Sequence, residues 1–331
     1  MEFVRRYPTA AYIVLTYAFS WTCWSVFQRN YLDGNVWALP GLMLGLFGPG
    51  LIGILLAAVL TPGPRETRPT LPALAFVAAW IPATALITLD QVLDEGRAIV
   101  WPTIAASAAA ALAPAFVVAC AFSGRPGVRR HLRSLVRPRG APGYYLLALA
   151  LFGGIWGLGI PLSRALGLPV PARSFPPAAG TVGVVAAVAL TFCYTFLPNA
   201  LSEEVGWRGF ALPRLQARHN PLVASVVLWF FWAIWHAPAY FGGFEAQSLE
   251  DTITEWVLML PVAVLFTWFY NRTDGSIAVT AVLHPAMNTA TRYLPVTLGG
   301  VILLAAVAAA AVARDRMWRR VASTRPSDGG G

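Results

Sequence analysis

The chain has 331 residues, of which 57% are hydrophobic and only 12% charged, about half the charged share of an ordinary soluble domain. The apolar residues come in runs of about 20, each long enough to cross a bilayer as a helix, so the composition excludes a water-soluble enzyme and specifies an all-α polytopic membrane bundle. The net charge of +9 arises from arginines that lie between the apolar runs rather than on one soluble face, which excludes nucleic acid as a partner.

In chain order the runs predict about ten spans, at 8–28, 37–61, 71–90, 100–122, 143–161, 181–208, 221–241, 253–270, 276–292 and 295–313. The first has the charge pattern of a signal peptide. Its apolar stretch is too long, however, and no small-residue cleavage site follows "CWSVFQRN", so it reads as a retained spanning helix. Cys23, Cys120 and Cys193 all fall inside runs and match no metal or disulfide spacing, so they read as buried free thiols.

The loops alternate in charge. One set carries Arg5, Arg6, Arg65, Arg68, the cluster from Arg125 to Arg139, Arg208, Arg214, Arg218, Arg272 and the arginines from Arg314 to Arg325. The other carries Arg29, Arg97, Arg164, Arg173 and Arg292 with the acids Asp90, Asp94, Glu95, Glu245, Glu250 and Asp251. Positive residues favour the cytoplasmic side, so both termini are expected there, in a bacterial plasma membrane. Within the basic loop 124–140, Val128, Leu132 and Leu135 are spaced for a short helix lying on the cytoplasmic leaflet. The tail "STRPSDGGG" is expected to be disordered. The chain thus divides into N-terminal membrane helices with that basic loop (1–179), a polar core (180–292), and a last helix with the tail (293–331).

Three segments of the core break the apolar pattern. In "EEVGWR", Glu204 and Arg208 are four apart on one helix face with the acid first, the favourable order for an ion pair. Glu203 lies about 100° around the helix and is left for chemistry. In "FFWAIWHAPAYF", His236 sits deep in its span, and Pro238 removes a backbone hydrogen bond near Ile234. In "AVLHPAMNTA", His284 and Asn288 share a face. Ionisable residues inside a membrane face the bundle interior and mark function. A carboxylate and a histidine can take a proton from water, and a histidine and an asparagine can stabilise an oxyanion. No serine or cysteine is paired with a base; Ser202 points away from Glu203. The Trp229, Trp232 and Trp235 series reads as packing or lipid contact.

These motifs resemble the CPBP intramembrane proteases, which include the type II CAAX prenyl endopeptidases and bacteriocin-processing or immunity proteins. The family pattern is EExxxR, then FxxxH, then HxxxN or HxxxD. Here it stands as Glu203-Glu204-xxx-Arg208, Trp232-xxx-His236 and His284-xxx-Asn288, with tryptophan in place of phenylalanine. The resemblance covers roughly 180–292. It implies a core of about eight spans, making 71–90 and 100–122 the candidate extra pair. It also implies hydrolysis of a membrane-embedded or lipidated peptide near the cytoplasmic side. Glu203 and His236 would activate water, His284 and Asn288 would form the oxyanion site, and Glu204, Arg208 and Trp232 would support it. The residues favour a metal-free mechanism with no cofactor; zinc held by Glu203, His236 and His284 is the alternative. Two other readings stay open: a proton-coupled transporter, and a non-catalytic binding protein that retains the site. Oligomeric state is not legible. Glu203 can meet His236 only if the sixth helix continues through the charged cluster to about Leu212, where Pro213 would end it.

Overall fold

The protein is described by a computed structural model covering residues 2–64, 70–172, 180–242 and 248–320. Arg65, Arg68, Arg173, Glu245, Arg325 and the tail expected to be disordered lie outside the described residues. Among the described residues there is no strand. The helices are α1 (Pro8–Leu32), α2 (Val36–Leu46), α3 (Gly48–Leu60), α4 (Thr70–Leu93), α5 (Trp101–Ala121), α6 (Pro126–Val136), α7 (Pro142–Ala165), α8 (Gly180–Gln216), α9 (Pro221–Phe241), α10 (Leu249–Arg272), α11 (Ile277–Tyr293) and α12 (Leu298–Asp315).

Every expected span is helical, but not every one is a full-length rod. Eight helices are long and apolar enough to cross a membrane, and α2 with α3 makes a ninth if the pair, bent by 50°, forms one span. The remaining one, α11, has only 17 residues and carries Pro285 inside it. Helix starts follow local chemistry. The Asn220 side chain accepts from Val223 N at 2.9 Å with Pro221 in the first turn, and Ser248 and Asp251 form a capping box that opens α10.

The interior is organised around α8. This helix runs 37 residues from Gly180 to Gln216 and includes a π-helical stretch, Asn199–Ala211. The change of register begins directly after Pro198, which has no N–H to donate to the preceding turn. As expected, the helix continues through the charged cluster. Pro213 does not end it, because it enters the restarted α-turn Leu212–Gln216 at a first-turn position, where a missing N–H costs nothing. Glycines let α3 lie directly on the π stretch. A Cβ at Gly206 would stand 2.5 Å from the Pro49 backbone, and one at Gly50 would stand 2.9 Å from Ser202 Cα. Such small-residue contacts let membrane helices approach backbone to backbone. Ser202, turned away from Glu203 as expected, locks this contact by donating to Leu46 O at 2.8 Å and accepting from Gly50 N at 3.3 Å.

The basic segment forms α6 as expected, with Val128 and Leu132 buried and Leu135 half-buried. His131 on α6 packs edge-on against Phe210, with ring centroids 6.1 Å apart, and its buried Nε2 has no hydrogen-bond partner. Burial, aided by the Arg214 guanidinium, pushes this imidazole down from 6.5 to about 4. Between these values the unfolded chain holds a proton that the folded chain does not. His131 therefore contributes stability that is fully present above about pH 6.5 and lost as pH falls through about 4. The melting midpoint of the detergent-solubilised protein should drop over that window, and the drop should flatten in His131→Phe.

Candidate active site

Residues from three helices meet beside the π stretch. Glu203 is only 5% exposed. Its Oε2 accepts from the Trp232 indole N–H at 2.6 Å and lies 4.0 Å from His236 Nε2. The latter separation is too long for a direct hydrogen bond. His236 sits where α9 breaks, between the segments Pro221–Trp235 and Ala237–Phe241. Its Nδ1 lies 2.9 Å from Trp232 O. A carbonyl can only accept, so Nδ1 carries the proton, and in the neutral ring Nε2 presents its lone pair toward Glu203. The ring stacks on Tyr240 with centroids 5.8 Å apart, which fixes its plane.

Glu203, His236 and Asn288 line one cavity of about 140 Å³, together with Asn199, Gln28 and Trp24. Asn288 also borders a larger, mostly apolar cavity of about 370 Å³ between α10, α11 and α12. Gln28 is held by its amide N–H, which donates to Pro238 O at 3.2 Å.

Glu204 faces the other way. Its Oε1 accepts from Arg208 Nη1 at 2.9 Å and from His284 Nδ1 at 2.8 Å, with the side chains of Glu204 and Arg208 fully buried. The Arg208 guanidinium lies over the adjacent rings of Trp232 and Phe266, at 4.3 and 4.4 Å from their centroids. The ion pair expected from spacing is thus present, and His284 joins it. The shared helix face did not predict that: His284 is not among the described residues lining the cavity that holds Asn288. Nor do Glu203, His236 and His284 form a three-ligand set for zinc. Among the described residues no group of three such side chains is placed to hold a metal ion, and the bond from His284 Nδ1 to Glu204 leaves its Nε2 as the free ring nitrogen.

Sequence reasoning missed Asn199 and Gln28 because a lone amide in an apolar run carries no spacing signal. The tryptophan series reads from sequence as packing or lipid contact, with Trp232 expected to support the site; in the structure its N–H binds the carboxylate of Glu203.

The motifs that build this site have counterparts in known proteins. Residues 185–290 match the family model described as type II CAAX prenyl endopeptidase Rce1-like. The matched stretch contains Glu203, Glu204, Arg208, His236, His284 and Asn288. Over that stretch the chain is similar to the CAAX prenyl proteases. It is also similar to CAAX prenyl protease 2 of Methanococcus maripaludis, 30% identical over 135 residues, which is 37% of this chain. The match spans about half, 49%, of that curated relative's length.

The cavity that holds Glu203, His236 and Asn288 has a defined place along the bundle. At 1.5 Å per residue, Trp24, His236 and Asn288 stand ~24, ~22 and ~16 Å from the starts of α1, α9 and α11. Each of those starts follows arginines: Arg5 and Arg6, Arg214 and Arg218, and Arg272. The cavity therefore lies toward the arginine-poor end. Cytoplasmic termini and a site near the cytoplasmic face are two expectations that do not fit together in this bundle.

Proposed function

We propose that the chain is an intramembrane endopeptidase that hydrolyses membrane-anchored or lipid-linked peptides with a water molecule activated by Glu203 and His236. The observation that carries this reading is the meeting of Glu203, His236 and Asn288, from α8, α9 and α11, in one cavity large enough for water. Glu203 takes the proton of the water, and the lone pair of His236 Nε2 helps hold that water in line. The oxygen attacks the peptide carbonyl carbon. The Asn288 amide donates to the oxyanion that forms, with the Glu204-anchored His284 ring in support. Collapse of the tetrahedral intermediate breaks the C–N bond, and the proton held by Glu203 passes to the departing amine. The Trp232 N–H keeps the carboxylate oriented throughout. The larger cavity beside Asn288, with Trp156, Met259 and Leu304 on its walls, offers an apolar surface to the residues or lipid flanking the scissile bond.

The test is a peptidase assay in detergent on a panel of lipidated and unlipidated peptides, with and without a chelator. Cleavage that is insensitive to the chelator supports the mechanism. Absence of any product across the panel contradicts it.

In this reading the arginine-rich end faces the cytoplasm, so the cavity lies in the far half of the bilayer. Trp37, exposed in the first turn of α2, stands at that far end. A Trp37→Cys variant should react with a membrane-impermeant maleimide on intact cells, and Arg319→Cys should not. The reverse labelling would place the cavity in the cytoplasmic half.

A further inference from the structure

We infer that Asn199 is a further catalytic residue: its side-chain amide donates to the carbonyl oxygen of the scissile peptide bond, opposite Asn288. The inference rests on the endopeptidase reading and adds a residue that neither the motifs nor the spacing single out.

Asn199 opens the π stretch of α8, directly after Pro198 and four residues before Glu203. It is 5% exposed, and its Nδ2 is buried with no hydrogen-bond partner. An unsatisfied buried amide donor costs about 1–3 kcal/mol. The surrounding run, "TFLPNALS", is apolar enough that leucine would fit the pattern at no such cost. A buried polar group left without a partner calls for an explanation, and here the surroundings supply one. Asn199 lines the same 140 Å³ cavity as Glu203, His236 and Asn288. Oxyanion sites work by aiming two or more fixed donors at one point. Of the pair expected from sequence, Asn288 lines this cavity, while His284 bonds Glu204 through Nδ1. Asn199 places a second side-chain amide on the wall of the same space, carried by the helix that carries the base. A substrate carbonyl in the cavity would satisfy the amide that the free protein leaves unpaired. The interaction strengthens as the oxygen gains negative charge, so it acts on turnover more than on binding.

The test compares Asn199→Leu and Asn199→Ala with wild type and Glu203→Gln, all purified in detergent. For Asn199→Leu we expect kcat about 100-fold lower, KM nearly unchanged, and a melting midpoint no lower than wild type, since the unpaired amide is gone. Asn199→Ala should show the same kcat loss and serves if the leucine variant does not fold. A peptide aldehyde, whose hydrate mimics the tetrahedral intermediate, should bind both variants more weakly in a tryptophan-fluorescence titration, while an uncleaved peptide should bind as it does to wild type. Wild-type turnover in folded Asn199 variants, with Glu203→Gln inactive, overturns the role of Asn199 alone. So does a loss that merely tracks lost folded protein, or unchanged aldehyde binding. Cleavage that survives in Glu203→Gln overturns the endopeptidase mechanism itself.

Discussion

Glu203→Gln is expected to reduce kcat for peptide cleavage at least about 100-fold while leaving KM and the melting midpoint close to wild type. The substitution keeps the shape of the side chain and an oxygen able to accept from Trp232, so the packing around the π stretch is preserved. What it removes is the ability to take a proton from water, and general-base catalysis of this kind is worth about 100- to 10,000-fold. The neutral amide also cannot return a proton to the leaving amine. Steady-state kinetics on matched amounts of folded protein would check this. A rise in KM with kcat intact would assign Glu203 to substrate binding instead.

Arg208→Leu is expected to act on stability. Arg208 and Glu204 are both fully buried at 2.9 Å, and the guanidinium lies over the rings of Trp232 and Phe266. Removing one partner of a buried pair leaves the other charge without compensation, at a cost of about 3–5 kcal/mol. His284 alone cannot replace the guanidinium, because it already occupies its own position on Glu204 Oε1. The double change Arg208→Leu with Glu204→Leu removes both charges and should cost less than Arg208→Leu alone. Denaturant titration of the detergent-solubilised variants would measure the difference. A double variant less stable than the single one would mean that the pair itself, and not the orphaned carboxylate, carries the stability. Because Glu204 also holds His284, the double variant should lose activity even where it folds.

These two carboxylates show how much of the site could be read before the structure. The division of labour followed from helix geometry: four-residue spacing ties Glu204 to Arg208, and the offset leaves Glu203 for the cavity. The continuation of α8 past Leu201 also followed, from the depth of His236 in its own helix. Its extension past Pro213 to Gln216 did not, because a proline ends a helix in the interior but not in a newly started turn. The partner of His284 was hidden because spacing places residues on a face without saying what that face meets. Asn288 and His284 share α11, yet one lines the cavity and the other binds Glu204. The bend at Phe47 and the π register after Pro198 were also illegible, since hydropathy counts length and not the hydrogen bonds within it. The fold was legible from apolar runs and arginine-bearing loops, because the bilayer permits few structures other than helices that satisfy their own backbone. Long-range contacts between amides and aromatic N–H groups carry no such constraint.

The central claim is that one carboxylate and one imidazole act as a unit on one water molecule, and a double-mutant cycle on kcat tests it most directly. Glu203→Gln, His236→Gln and the combined variant would be assayed on the same cleaved peptide, each at equal amounts of folded protein. Residues that serve one step together are strongly non-additive, so the combined variant should be no slower than the worse single one. Losses that multiply across the two sites, or a His236→Gln variant with wild-type turnover, would show that the two groups do not share that water.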